Sequence, residues 1–206
     1  DGTDWEGSGD AKEIIVGPGV VAVSDIAWWN GALYAGRPDD LYRIENDTAL
    51  GVGFKYGYHA NNFKELLPGP NGTLWWICRN KVYEWGGSGT RSVIDRTPEP
   101  FDINLPFDRY GEFSGLAHRD GFVYVSGKTQ YGGIANPTWH LLAWNGVGWS
   151  ICADLTGGGA STTVRSGIAS QSIDRLMYSL VNSAAAEQYR QIRVRDDSDL
   201  PLDVYQ

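Results

Sequence analysis

Hydrophobic and polar residues alternate along this chain in short runs, and each run is bounded by a turn. Four tight turns precede an aromatic, strand-like segment: Asn30-Gly31, Asn71-Gly72, Asp120-Gly121 and Asp174-Arg175. Asn-Gly and Asp-Gly suit a type I′ hairpin, in which both central residues take positive φ. Asp174-Arg175 departs from that chemistry and predicts a longer turn or one of another type. After each turn comes a strand of the form Leu/Val-x-Tyr/Trp, as in "ALYAG", "LWWIC" and "FVYVSG". A partner strand follows: "DLYRIE" (40–45), "KVYEWGG" (81–87), "HLLAWNG" (140–146) and "YRQIRVR" (189–195). Less regular fourth strands are "TRSVID" (90–95), "GWSICADL" (148–155) and "LPLDVY" (200–205).

The turns are spaced 41, 49 and 54 residues apart. Four short antiparallel strands per 40–55 residues is the content of one β-propeller blade. A lone four-stranded meander buries one face, whereas stacked blades bury both. Strands buried on both faces should be apolar throughout, and "LWWIC" is. The prediction is an all-β, propeller-like chain of about four blades, at 20–60, 61–97, 110–156 and 164–206. Residues 1–6, "DGTDWE", read as the last strand of a further blade, which suggests a segment of a larger protein. A β-sandwich accounts for alternation and turns, but not for their recurrence in one order.

Composition narrows the function. Nine Trp and 27 Gly in 206 residues suit strands and turns. The net charge of −8 disfavours a nucleic-acid partner, since like charges repel. No run of 18 apolar residues occurs, so no membrane insertion is expected. Cys78 and Cys152 both lie in apolar runs and read as buried free thiols, with a disulfide as the alternative. The sequons at Asn46 and Asn71 are of a length that chance produces.

The search for chemistry finds no GxSxG, HExxH or phosphate-loop signature. "GGSGTRS" (86–92) lacks the lysine and the helix that such a loop needs. Asp39-Asp40, Asp196-Asp197 and Asp199 lack calcium-loop spacing and read as solvated acids. No catalytic residue, metal site or cofactor is predicted. His118 and His140 read first as structural histidines, and Trp28-Trp29 and Trp75-Trp76 as core. Binding residues usually sit on long loops. The 51–63 connection offers Tyr58 and His59. The 127–140 loop offers Tyr131, Trp139 and His140 as contacts for a sugar or a protein. "DGTDW" (1–5) shares part of the Asp-box of sialidase propellers, but lacks its Ser-x-Asp lead-in and does not recur.

"GALYAGRPDDLYRIE" and "HLLAWNGVGWS" resemble the degenerate propeller repeats of bacteriophage tail and virion proteins, over residues 1–195. Kelch-like surface propellers are similar, with Gly86-Gly87 and Gly132-Gly133 as loose double glycines. The phage resemblance implies a structural or adhesive role and no catalysis. The leading expectation is therefore a non-enzymatic module at a virion, extracellular or cell surface, docking other protein subunits or a host glycan. A stand-alone lectin propeller is the alternative. A propeller hydrolase is the third reading; it needs convergent acids near the axis, with Asp25, Asp39, Glu84 and Glu112 as candidates.

Overall fold

The computed structural model describes residues 14–54, 56–78, 81–87, 110–129, 139–155, 163–172, 175–181, 187–193 and 203–204. The fold is all-β and propeller-like. Strands β1 (Asp25–Trp29), β2 (Ala32–Gly36), β3 (Leu41–Glu45) and β4 (Thr48–Gly51) form the first sheet. The second holds β5 (Lys64–Pro68), β6 (Leu74–Cys78) and β7 (Lys81–Trp85). The third holds β8 (Tyr110–Arg119), β9 (Phe122–Thr129), β10 (Trp139–Trp144) and β11 (Trp149–Asp154). The fourth holds β12 (Thr163–Ser172), β13 (Arg175–Val181), β14 (Glu187–Arg193) and β15 (Asp203–Val204). In each sheet the strands run antiparallel in chain order. Residues 1–6, the 90–95 strand and Asp174 lie outside the described residues.

The turn chemistry acts as the sequence requires. Asn30 and Gly31 sit at φ 47° and 75°, Asp120 and Gly121 at 49° and 81°. Both pairs close two-residue hairpins, Trp29 opposite Ala32 and Arg119 opposite Phe122. Asn71 and Gly72 also take positive φ, but within a 3-10 turn over Pro70–Gly72, which lengthens that loop. Asn46 and Asp47, at 49° and 60°, close a further hairpin between β3 and β4.

The first strands adjoin one another in chain order: β1 beside β5, β5 beside β8, β8 beside β12. The sheets therefore stack with their first strands innermost. Alternation along β6 decides what fills the gaps, because successive side chains point to opposite faces. Leu74, Trp76 and Cys78 enter one core with Trp29, Tyr34, Phe54 and Trp85, against the first sheet. Trp75 and Ile77 enter another with Val123, Val125, Leu142 and Trp144, against the third. All five residues of β6 are buried. The first core is a web of rings, with centroids 5.1 Å apart for Trp29–Trp85 and 5.0 Å for Phe54–Trp76. Each such pair adds about 0.5–1.5 kcal/mol beyond its area burial.

Cys78 and Cys152 are free thiols. Cys78 is buried and accepts a hydrogen bond from the Phe63 N–H at 3.3 Å. Cys152 is half-buried; burial raises its pKa, with the Ser150 hydroxyl opposing. Among the described residues no helix is long and apolar enough to cross a membrane.

Candidate functional site

An open cleft of about 560 Å³ lies beside the innermost strands β1 and β5. Val23, Asp25, Pro38, Tyr58, Lys64 and Glu65 are among its lining residues. Three of them are charged, and each is placed by the backbone of an inner strand.

Asp25 opens β1. Its Oδ1 accepts the Ile26 N–H at 2.8 Å, and its Oδ2 accepts the Leu66 N–H of β5 at 2.6 Å. It thus ties the first sheet to the second. Glu65 stands one strand further on. Its pKa is raised, first by burial and then by the Asp25 charge. The backbone N–H groups of Gly115 and Leu116 in β8, and the Lys64 charge, pull the other way. Each acid therefore reaches the backbone of the next inner strand.

Three inner strands break register at one repeat position. The shifts fall between Lys64 and Leu67, between Ser114 and Leu116, and between Ser166 and Ala169. Aligned there, the chain reads Ser24-Asp25-Ile26-Ala27, Lys64-Glu65-Leu66-Leu67, Ser114-Gly115-Leu116-Ala117 and Ser166-Gly167-Ile168-Ala169. In β8 and β12 the bulge carries a glycine, and Gly115 sits at φ 68°. A bulge residue in the left-handed region calls for glycine. In β5 the same place holds Glu65 at φ 55°. A side chain there costs about 1–2 kcal/mol. A strained residue with a shifted carboxyl in a cleft makes Glu65 a candidate functional group.

The 56–63 loop frames the other wall. Buried Asn62 donates through Nδ2 to the Pro38 carbonyl at 2.9 Å and to the Gly57 carbonyl at 2.6 Å. The His59 N–H also donates to the Pro38 carbonyl, at 3.1 Å. Gly36 lets this loop approach: a Cβ there would stand 2.4 Å from the Phe63 carbonyl oxygen. The clamp holds Tyr58 out at 66% exposure, on the rim of the cleft.

The five residues expected from the long loops separate. Tyr58 lines the cleft with Asp25, Lys64 and Glu65. His59 is exposed, and its Nδ1 accepts the Asn61 N–H at 3.1 Å, so the ring shapes the loop. Trp139 corrects the expectation of a surface contact. It is 0% exposed in the core on the far side of the third sheet, with Lys128 Nζ 5.8 Å from its ring centre. A sugar has no access to it there. His140 is likewise buried. Tyr131 lies outside the described residues.

Two acids expected to be solvated are structural instead. Asp40 accepts the Leu41, Gly53 and Phe54 N–H groups, each at 2.8 Å, and so fixes the turn after β4. Asp39 pairs with Arg37 at 3.2 Å and accepts the Tyr42 hydroxyl at 2.9 Å. Arg37 is fully buried; it donates to the carbonyls of Val16 and Pro18 and stacks on Tyr42. Of the remaining acids weighed for a hydrolase, Glu84 lies in β7 and Glu112 in β8. Asp196, Asp197 and Asp199 lie outside the described residues. Among the described residues no group of three or more His, Cys, Asp or Glu could hold a metal. The sequence reading reached Asp25 and Tyr58 but missed Glu65. The signal was the four-residue repeat itself, in which an acid stands where two other blades have glycine.

No protein-family model matches the chain, and no curated protein matches it, so the phage resemblance gains no support from sequence families. Among solved structures it is similar to a "Bifunctional GH43-CE" of Bacteroides eggerthii, at 13% identity and a TM-score of 0.45. The likeness covers 87% of this chain and 25% of that one, so the chain spans about a quarter of its length. GH43 is a glycoside hydrolase family of propeller fold. The expectation of a non-enzymatic module is corrected by this finding: a structure that the chain is similar to is a glycoside hydrolase and esterase, and the exclusion of catalysis is withdrawn. The likeness itself assigns no activity to this chain.

Proposed function

We propose that the cleft beside β1 and β5 binds carbohydrate, as the recognition site of a propeller-like module that meets glycans at an extracellular, cell or virion surface. One observation carries this reading: an exposed aromatic ring, Tyr58, shares an open cleft with Asp25, Lys64 and Glu65. The C–H face of a sugar suits a ring, and its hydroxyls suit carboxylate and ammonium groups. The volume, about 560 Å³, is that of a small-molecule site. Asp25 is held by two backbone N–H groups, so its carboxylate lines the cleft in a fixed position and need not be ordered by a ligand. Other protein subunits of an assembly would dock on loops away from this cleft.

A glycan panel probed with the whole chain tests the reading. Binding of at least one oligosaccharide is expected, with a loss of tenfold or more in Tyr58→Ala and none in Phe122→Ala. Phe122 is a half-exposed aromatic at the start of β9 and does not line the cleft. A panel without binders, or binding indifferent to Tyr58, would sink it.

The Glu65 environment favours a second reading, cleavage of the bound glycan by water. Glu65, held protonated to higher pH than an ordinary carboxyl, would give its proton to the leaving oxygen. Asp25 would take a proton from the water that adds to the anomeric carbon. Glu65→Gln should then abolish turnover of an aryl glycoside while leaving binding intact. No turnover by the parent chain across such substrates removes this second reading and leaves the first standing.

A further inference from the structure

We infer that buried Arg37 is the positioning residue of the cleft: it pins the segment that precedes β1, and that segment is one wall of the site. The inference rests on the carbohydrate reading and concerns what holds the site in shape. Val21, Ala22, Val23 and Ser24 line the cleft together with Lys64 and Glu65. Residues 14–24 belong to no strand, so no sheet ladder fixes this wall. Val20 is fully exposed and Val23 is 42% exposed, so burial does not fix it either. Its position is set from its two ends.

At one end the Ser24 N–H donates to the Gly36 carbonyl at 2.7 Å, and the Ser24 hydroxyl to the Asn62 carbonyl at 3.5 Å. At the other, the Arg37 guanidinium donates through Nη1 to the Val16 carbonyl and through Nη2 to the Pro18 carbonyl, the latter at 2.8 Å. A planar fork reaches two carbonyls at once, whereas the ammonium of a lysine is a point charge. Asp39, 3.2 Å from Nε, balances the buried charge, and Cζ lies 5.4 Å from the centre of the Tyr42 ring. Gly17 stands between the two carbonyls. Its φ is 71°, and a Cβ there would overlap Arg37 Nη1 and the Tyr42 hydroxyl. Glycine alone lets the backbone come this close in that conformation.

The next residue ties in the other wall. The Pro38 carbonyl accepts from Asn62 Nδ2 and from the His59 N–H, and that loop carries Tyr58. The turn after β2 thus holds both the 16–24 segment and the 56–63 loop. Arg37 is itself fully buried and acts on a ligand only through residues 21–24. A wall fixed before binding spares the ligand the cost of ordering it.

Limited digestion with elastase, which cuts after small aliphatic residues, tests this on the whole chain. Arg37→Lys keeps the charge beside Asp39 but loses the fork, and Gly17→Ala keeps the arginine but displaces it. Both should be cut within residues 20–23 about tenfold faster than the parent, with no faster cutting in β6. Affinity for the tightest binder among cellohexaose, mannohexaose and chitohexaose, by titration calorimetry, should fall about tenfold or more in both. Arg43→Lys, at an exposed arginine of β3 paired with Glu45, should change neither readout. Cutting within residues 20–23 at the parent rate overturns the inference. So does cutting that rises equally in β6, the mark of an anchor for the whole fold, or a loosened wall with unchanged affinity. Digestion needs no ligand, so a glycan panel without binders sinks the carbohydrate reading while the cutting rate still decides the anchor.

Discussion

The first and second sheets share one repeat and differ in what they cover. In the second, β6 buries both sides, Trp76 toward the first sheet and Trp75 toward the third. In the first, β1 buries Ala27 and Trp29 but exposes Ile26 and Trp28. The adjacent tryptophans 28-29 and 75-76 therefore look alike in sequence and live in different solvents. Their inner strands differ in a second way. β1 keeps regular register at Asp25, whereas β5 is bulged at Glu65. The lesson is that position in the stack, and not the local pattern, sets the energetic weight of a residue.

The largest break in the comparison should come from Trp76→Ala. Emptying that site among Phe54, Phe63, Tyr83 and Trp85 should cost about 3–5 kcal/mol in urea unfolding. Trp28→Ala, at an exposed ring, should stay within about 0.5 kcal/mol of the parent. Equal losses at the two sites would contradict the assignment of faces. Next in size is Asp25→Ala, which leaves the Leu66 N–H of the neighbouring sheet without its acceptor. A cost of about 1–3 kcal/mol is expected. Hydrogen exchange at Leu66 should speed up in this variant, and an unchanged rate would refute the tie between sheets.

A smaller effect separates the two acids by pH. The folded-state pKa of Glu65 is raised, so the native chain holds that proton to higher pH than the unfolded chain does. Stability from this group is present at and below the ordinary carboxyl range and is lost as pH rises through the raised value. The parent should gain melting temperature relative to Glu65→Gln as pH falls from neutrality. A difference flat with pH would show that burial does not govern this carboxyl. The smallest shift comes at alkaline pH. Burial pushes the Tyr124 phenol up to about 12, with the Cys152 and Asp120 charges adding to it. Its stabilising share should persist to pH 10 and fade toward pH 12, absent in Tyr124→Phe.

Much of the stack was legible before any coordinates. Asn30-Gly31 and Asp120-Gly121 announced hairpins because few residue pairs accept two positive φ angles. "LWWIC" announced a strand buried on both sides because an unbroken apolar run has no face for water. The loop contacts were half legible. Tyr58 reaches the cleft, while Trp139, equally aromatic and equally near a long loop, turns into the core. Which way a strand residue points depends on register, and register depends on bulges that no turn motif reveals.

The amino-acid sequence by itself determined the repeat, the strands and the turns, since these follow from local backbone preference and alternation. It also held, unread, the acid in place of glycine at residue 65. Only the tertiary structure decided that Asp25 and Glu65 each grip the next inner strand, that Asp39 and Asp40 are spent on Arg37 and on a loop, and that Trp28 meets solvent. The reason is physical. The Asp25 and Glu65 links join residues about 40 or more positions apart and exist only once the sheets have stacked, while the Asp39 and Asp40 contacts depend on how the chain turns around β3 and β4.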